Sequence, residues 1–262
     1  MSEKVTERHN RILEQLSYRS VISIQELASS LDVSVETIRK DLVSLTQSDL
    51  VVRVHGGVGL MKEKKGMLPR NARENLQVKP KRAIAAEAVK LVRPNSTLLI
   101  ESSTTTYELA CALSCQPELL ETLTVVTNSF SVCTLFGYGH ACRRLFFLGG
   151  LCSGEELSTG GHYTSKMMQN FHVHQAFISA AGISNSMMLM GYLEDDVSFQ
   201  ALAIENADET ILLLDHSKFA SDAWLAVSRL DTFHAIVTDL SPEHPLAQKM
   251  QKYGYAVLFA AP

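Results

Sequence analysis

Apolar positions follow two different rhythms along this chain. Up to residue 60 they recur at helical spacing in three short segments. Residues 6–17 place Ile12, Leu13 and Leu16 on one face, a second segment carries Ile24, Leu27, Ala28 and Leu31, and a third carries Val35, Ile38, Leu42 and Leu45. Ser23 can cap the second helix, with Glu26 three residues later completing a capping box. Asp32 and Val33 then break the pattern, and Ser34 is positioned to cap the third helix. Two short helices joined by a tight turn describe a helix-turn-helix. The alternating residues 50–54 run into His55-Gly56-Gly57, which reads as a strand and turn of a wing. Two adjacent glycines let such a backbone approach a phosphate closely.

From residue 83 the rhythm changes to apolar strands that end in small polar residues and lead into amphipathic helices. A first helix is predicted over residues 78–91, on Ile84, Ala85, Ala88, Val89 and Leu91, with a turn at Pro94-Asn95. Strands are predicted at 97–100, 123–126, 145–148, 176–179, 211–214 and 235–237. Strands alternating with helices imply an α/β domain with a mostly parallel sheet. In such sheets ligands bind beyond the carboxyl ends of the strands, where helix amino termini present free N–H groups. Ser102, Ser103, Thr104, Thr105 and Thr106 offer hydroxyls and amides suited to a phosphate there, and Lys218 in Asp215-His216-Ser217-Lys218 offers the balancing cation.

Composition narrows the classes. The chain has 262 residues, 46% of them apolar and 20% charged, which excludes a disordered chain. No apolar run approaches a membrane span, and the polar amino terminus lacks the apolar region of a secretory signal, so a cytoplasmic protein with no membrane partner is expected. Five cysteines without a CxxC pair argue against a disulfide framework and a zinc finger, and are read as buried thiols. His172 with His174, and Cys111 with Cys115, have spacings that allow shared metal ligation. Neither has a second pair beside it, so surface histidines and buried cysteines are expected, with no metal and no cofactor.

The net charge of −4 is an average. Residues 1–60 hold seven basic and eight acidic residues, 61–82 hold eight and two, and 83–262 hold nine and eighteen. The expected organisation is a winged helix-turn-helix over 1–60, a basic linker over 61–82 and an α/β domain over 83–262. A recognition helix enters the major groove amino end first, which puts Ser34, Glu36, Thr37 and Lys40 within reach of base edges and Arg39 and Lys40 on phosphates. Alternatively, the segment is an amphipathic surface helix with i,i+4 partners such as Glu36 and Lys40. So little charge in the small domain favours a homo-oligomer, dimer or tetramer, on paired half-sites.

The run Val33-Ser34-Val35-Glu36-Thr37-Ile38-Arg39-Lys40-Asp41-Leu42, followed by Arg53-Val54-His55-Gly56-Gly57, resembles the winged helix-turn-helix signature of DeoR-family bacterial transcriptional repressors. Asp49 departs from it, standing where the family usually has glycine. The resemblance implies double-stranded operator DNA as partner and adds Arg53, His55 and Gly56 to the DNA-contact set. The larger half is similar to the family's effector domain, related in fold to ribose-5-phosphate isomerase. The resemblance rests on Thr104-Thr105-Thr106, Val126-Thr127-Asn128, Gly149-Gly150, Gly160, Ala181-Gly182-Ile183 and Asp215-His216-Ser217-Lys218-Phe219. It implies a phosphorylated sugar as effector, with contacts from Thr104, Thr105, Thr106, Thr127, Asn128, Gly149, Gly150 and Lys218.

Three departures bear on that pocket. The family's Asp-x-Gly appears as Glu101-Ser102-Ser103, its Asp-Lys before the strand at Ala176 as His174-Gln175, and its Glu-Ala with a following lysine as Asp196-Val197 with Gln200. Two basic positions have become neutral, which removes charge-assisted donors from or near the pocket. The acidic run Glu194-Asp195-Asp196 reads as a solvated loop. The rival class is a sugar-phosphate isomerase or acyl-transfer enzyme with an added DNA-binding module. It would use Glu101, Asp196 or Asp215 as base and Lys218 as electrophile. Fold analogy does not transfer chemistry, and a non-enzymatic regulator of carbohydrate metabolism is the expected function.

Overall fold

The computed structural model describes residues 3–19, 21–48, 50–60, 68, 70–138, 141–220 and 223–261. The chain divides into two compact units, Met1–Gln77 and Val78–Pro262.

The first unit contains α1 (Glu3–Tyr18), α2 (Ile24–Ser30), α3 (Val35–Gln47), the strands β1 (Val51–Val54) and β2 (Gly57–Leu60), and α4 (Arg70–Asn75). Ser23 and Glu26 form the expected capping box on α2, and Ser34 Oγ accepts the Thr37 N–H at 3.1 Å to start α3. Each such cap stabilises its helix by about 1 kcal/mol. The apolar stripes meet in one core in which Ile12, Leu16, Leu27, Ile38 and Leu42 are fully buried. The wing is an antiparallel hairpin with Val54 opposite Gly57, and Gly56 takes the left-handed turn position at φ +89°. Ile22 adds a bridge, exchanging two 2.9 Å hydrogen bonds with Val58. A Cβ on Gly57 would lie 2.1 Å from the Ile22 carbonyl oxygen. The second glycine therefore serves this close strand approach.

The segment expected to be a basic linker over 61–82 is largely folded where it is described. Leu68, Ala72 and Leu76, spaced four apart, pack into the core of the first unit, and α4 rests on α1. Arg70 is buried with Nε 2.8 Å from Glu74 Oε1, and Lys81 is buried in the first helix of the second unit. The boundary accordingly falls at Gln77/Val78 rather than at 60 and 83. Residues 61–67, with Lys62, Lys64 and Lys65, lie outside the described residues, as does Asp49.

The second unit runs α5 (Val78–Val89), β3 (Thr97–Ile100), α6 (Thr104–Ser114), α7 (Pro117–Leu120), β4 (Thr124–Thr127), α8 (Phe130–Gly137) and β5 (Arg144–Phe147). It continues with β6 (Leu151–Ser153), β7 (Ser158–Gly160), α9 (Gly161–Met168), β8 (Val173–Ser179), β9 (Gly182–Ile183), β10 (Met188–Gly191), α10 (Glu194–Glu205) and β11 (Ala207–Leu214). The last elements are β12 (Leu225–Arg229), β13 (Ala235–Thr238), α11 (Pro245–Lys252) and β14 (Val257–Phe259). Seven strands form a parallel sheet in the order β14-β13-β11-β8-β3-β4-β5. Side chains alternate across it. Leu98 and Ile100 join the core with α5, α6, α7 and α8, while Leu99 joins that with α9, α10 and α11. This is the expected α/β class. The chain proceeds outward from β3 to one edge and from β8 to the other, so the crevice between the carboxyl ends of β3 and β8 is the switch point where such sheets bind ligands.

The cysteines are only in part the buried thiols expected. Cys142 is buried, Cys111 and Cys133 are half-buried, and Cys115 and Cys152 are exposed. Cys115 is the residue that ends α6, and Cys152 sits on the β6–β7 hairpin, places where a side chain meets solvent. His172 and His174 are exposed: His172 Nε2 lies 2.8 Å from Asp208 Oδ1, and His174 Nδ1 accepts the Thr97 N–H. No helix among the described residues is long and apolar enough to cross a membrane.

Candidate functional site

On the open face of α3, Ser34, Glu36, Arg39 and Lys40 are exposed and Thr37 is half-buried, opposite the buried Ile38, Leu42 and Leu45. Ser34 and Thr37 hydroxyls lie 2.9 Å apart within the cap. Glu36 pairs with Arg39 at 3.4 Å, three residues on, instead of with Lys40. Arg53, His55 and Gly56 are exposed on the wing. Sequence reasoning missed Asp41, whose carboxylate lies on the inner face of α3 and is 4% exposed. It accepts Arg8 Nε and Nη2 at 2.5 and 2.9 Å, and His9 Nε2 lies 3.1 Å away. The hydrogen bond to Asp41 raises the Arg8 pKa. A polar residue between Ile38 and Leu42, on a helix whose inner face is otherwise apolar, was the available signal.

At the carboxyl edge of the sheet the residues singled out around β3 and β4 do come together, but several are occupied in building the loops. Ser103 caps α6, accepting the Thr106 N–H at 3.0 Å, while Thr106 Oγ1 donates to the Glu101 carbonyl. Thr127 Oγ1 donates to the Ile100 carbonyl at 2.7 Å and accepts the Ser129 N–H. Asn128 Oδ1 accepts the Ser102 N–H at 2.9 Å, and its amide donates to the Thr159 carbonyl. Thr104 and Thr105 are buried in the first turn of α6, and Ser102 is half-buried. Gly149 and Gly150 follow β5. A Cβ on Gly150 would lie 1.9 Å from Thr164 Oγ1, and Thr164 Oγ1 sits 3.0 Å from the Gly149 carbonyl oxygen. Gly150 thus makes room for α9.

Buried charge converges on the same edge. Glu101, just past β3, reaches across the crevice: its Oε2 accepts the Ser179 N–H at 3.0 Å and its Oε1 the Gln200 amide at 2.6 Å. Burial pushes its pKa up to about 8, against the opposing effect of those donors. Asp215 ends β11 and is 1% exposed. Burial raises its pKa, but Lys218, Ser217 and Lys81 together hold it below the usual value. Ser217 N–H donates to its Oδ1 at 3.0 Å, while Oδ2 is buried with no hydrogen-bond partner among the described residues. His216 is held by Asp239 through both its main-chain N–H and Nδ1. Lys81, His216 and Asp239 escaped the sequence-based list.

The departures separate in space. Gln200 belongs to the crevice, but Gln175 pairs with Leu98 at the amino end of the sheet, bonding Arg93 N–H, the Leu91 carbonyl and Glu209. Its replacement of a family lysine therefore leaves the carboxyl edge untouched. Glu194-Asp195-Asp196 form the exposed first turn of α10, where a helix amino terminus favours acidic residues, not the loop expected.

A winged helix-turn-helix joined to a parallel α/β unit with polar groups gathered at its carboxyl edge defines a DNA-binding transcriptional regulator with a sensor domain. Residues 8–64 match the model of the DeoR-like helix-turn-helix domain and residues 76–240 that of the DeoR C-terminal sensor domain. The chain belongs to the DeoR family. It is 31% identical over 260 residues to the HTH-type regulator YgbI of Escherichia coli, covering 97% of both chains. It is 28% identical to the HTH-type transcriptional regulator GolR of Listeria innocua, covering 97% of this chain and 98% of that one. It is also 28% identical to the glycerol-3-phosphate regulon repressor of Escherichia coli, covering 91% and 92%. Among solved structures, ribose 5-phosphate isomerase A of Methanocaldococcus jannaschii matches 55% of each chain at 20% identity with a TM-score of 0.40. The protein is a transcriptional regulator and not an enzyme, and its two domains imply operator DNA and a small-molecule effector as partners.

Proposed function

We propose that this regulator acts in the cytoplasm as a homo-oligomeric repressor of a carbohydrate-metabolism operon, released when a phosphorylated sugar binds its α/β unit. The observation that carries this reading is the gathering of Lys218, Asp215 and the Ser102–Thr106 loop at the carboxyl edge of one parallel sheet. Helix amino termini and a cation there suit a phosphate, and hydroxyl and carboxylate groups suit a sugar. The relative whose name includes the glycerol-3-phosphate regulon supports a phosphate ester as the effector class. On the DNA side, Ser34, Glu36, Thr37, Arg39 and Lys40 face the major groove, and Arg53, His55 and Gly56 face the adjoining backbone. Release follows if the effector binds one arrangement of the oligomer more tightly than the other, changing the spacing of paired reading units. The test is a thermal-shift screen of phosphorylated sugars with and without operator DNA. One that stabilises the protein and releases the DNA is the expected result. Stabilisation by none of them, with operator binding intact, would overturn the effector class.

A further inference from the structure

Of the two acids of α3, Asp41 turns into the core, while Glu36 stands on the open face beside Arg39 and Lys40. Glu26 also sits in the first turn of a helix, but there the carboxylate closes a capping box on the Ser23 N–H at 3.0 Å. Glu36 has no such duty. In α3 the cap is closed by Ser34 and Thr37, whose hydroxyls lie 2.9 Å apart, so the Thr37 hydroxyl is turned to its own helix. Among the described residues the Glu36 carboxylate meets only Arg39, Nη1 to Oε2 at 3.4 Å, and both side chains are more than half exposed. A carboxylate held outwards on a surface that meets phosphates repels them, in a unit whose residues 1–60 hold seven basic residues against eight acidic. That repulsion is offset where the carboxylate accepts a hydrogen bond from a base edge. The major groove presents two such donors, cytosine N4–H and adenine N6–H. Adenine sets its N7 acceptor beside the donor, against the second carboxylate oxygen, and guanine and thymine present acceptors. Cytosine is the base that offers a donor with no acceptor of its own in the groove.

We propose that Glu36 is a specificity-determining residue that reads a cytosine in each operator half-site, accepting its N4–H. This deepens the reading above that α3 faces the major groove and rests on it. Glu36 selects by rejection as much as by attraction: opposite guanine or thymine the carboxylate meets O6 or O4, two acceptors with no proton between them. Away from its cytosine the same charge opposes the hold of Arg39 and Lys40 on phosphates. One side chain thereby lowers affinity for DNA at large and restores it at the operator.

The test uses the full-length protein and its variants Glu36→Gln and Glu36→Ala, each set to select from a pool of randomised duplex DNA. The selected duplexes and their single-base-pair variants are then titrated by fluorescence anisotropy, with thermal melting as the measure of folding. The wild type is expected to require cytosine at one position of each half-site, each replacement there weakening binding by about tenfold. Glu36→Gln presents an amide that matches adenine N7 and N6–H, so the preference at that position is expected to move from cytosine to adenine. In Glu36→Ala it should flatten, while the remaining positions keep their bases in both variants. Both variants should also bind duplexes lacking the cytosine more tightly than the wild type does. If Glu36 serves only the amino terminus of its helix, both variants melt lower and keep every base preference of the wild type, a result that overturns the proposal and leaves DNA reading by α3 intact. A wild-type chain that binds every duplex of the pool alike overturns instead the reading that α3 enters the major groove, and the role of Glu36 with it.

Discussion

Gln200 donates its side-chain amide to Glu101 across the mouth of the central crevice, Nε2 to Oε1, at 2.6 Å. The same amide reaches the Ser179 carbonyl at 3.1 Å, and Ser179 N–H returns a bond to the other carboxyl oxygen. The resembled family carries an Asp and a Lys at these two positions; here a longer acid meets a neutral amide. The carboxyl has lost a cation that would stabilise its charge and has kept its burial.

Stability should consequently fall with rising pH through the neutral range. Glu101 holds its proton in the folded chain up to about pH 8, whereas the unfolded chain releases it at the ordinary value near 4.5. The contribution is fully present below that lower value and is lost as pH rises towards 8, at a rate of at most about 1.4 kcal/mol per unit. Chemical denaturation at pH 5, 6, 7 and 8 measures it. In Glu101→Gln this part of the slope should vanish; an unchanged slope would show that Glu101 ionises normally.

Arg39 and Lys40 stand exposed on α3. Arg39→Ala or Lys40→Ala should weaken operator binding and lower the slope of log affinity against log salt by about 1 for each phosphate contact removed. Fluorescence anisotropy across a salt series reads both quantities. Equal affinity and slope in both variants would remove α3 from the DNA interface.

Lys218→Ala should leave operator affinity unchanged and abolish release by the phosphorylated sugar. Lys218 belongs to the sensor unit and supplies positive charge beside Asp215. An electrophoretic mobility assay with and without effector separates the two properties.

Gly57→Ala drives a Cβ to 2.1 Å from the Ile22 carbonyl oxygen, a clash with backbone that no rotamer relieves. It should destabilise the first unit by about 2 kcal/mol or more and weaken operator binding through the displaced wing. Gly154→Ala, with no atom within 4 Å of the added carbon, is the control and should melt like the wild type.

The helices of the reading unit and the parallel strands were legible because each is a local pattern. Ile38, Leu42 and Leu45 recur at helical spacing behind a serine cap, and each central strand is a short apolar run closed by small polar residues. The segment after the wing was misread because eight basic residues between 61 and 82 drowned the weaker signal of Leu68, Ala72 and Leu76, spaced for one helical face. No spacing rule could have joined Glu101 to Gln200, ninety-nine positions apart, since that contact exists only after β3, β8 and α10 have assembled. Hydroxyl-rich loops were found at the right edge, but whether a hydroxyl faces a ligand or its own backbone depends on loop geometry. Thr106 and Thr127 turned inward.

Asp41 carries one more consequence. Its carboxylate clamps α3 to Arg8 and His9 of α1, nearly dry, inside the core that also receives Leu76 at the end of the unit. Breaking a buried clamp of this kind by removing one partner costs about 3–5 kcal/mol. Within the first unit, α3 is therefore held against α1 as one piece. On the effector reading proposed above, the first unit would respond as one block with its own fold unchanged, and the message would be one of address, not of alphabet.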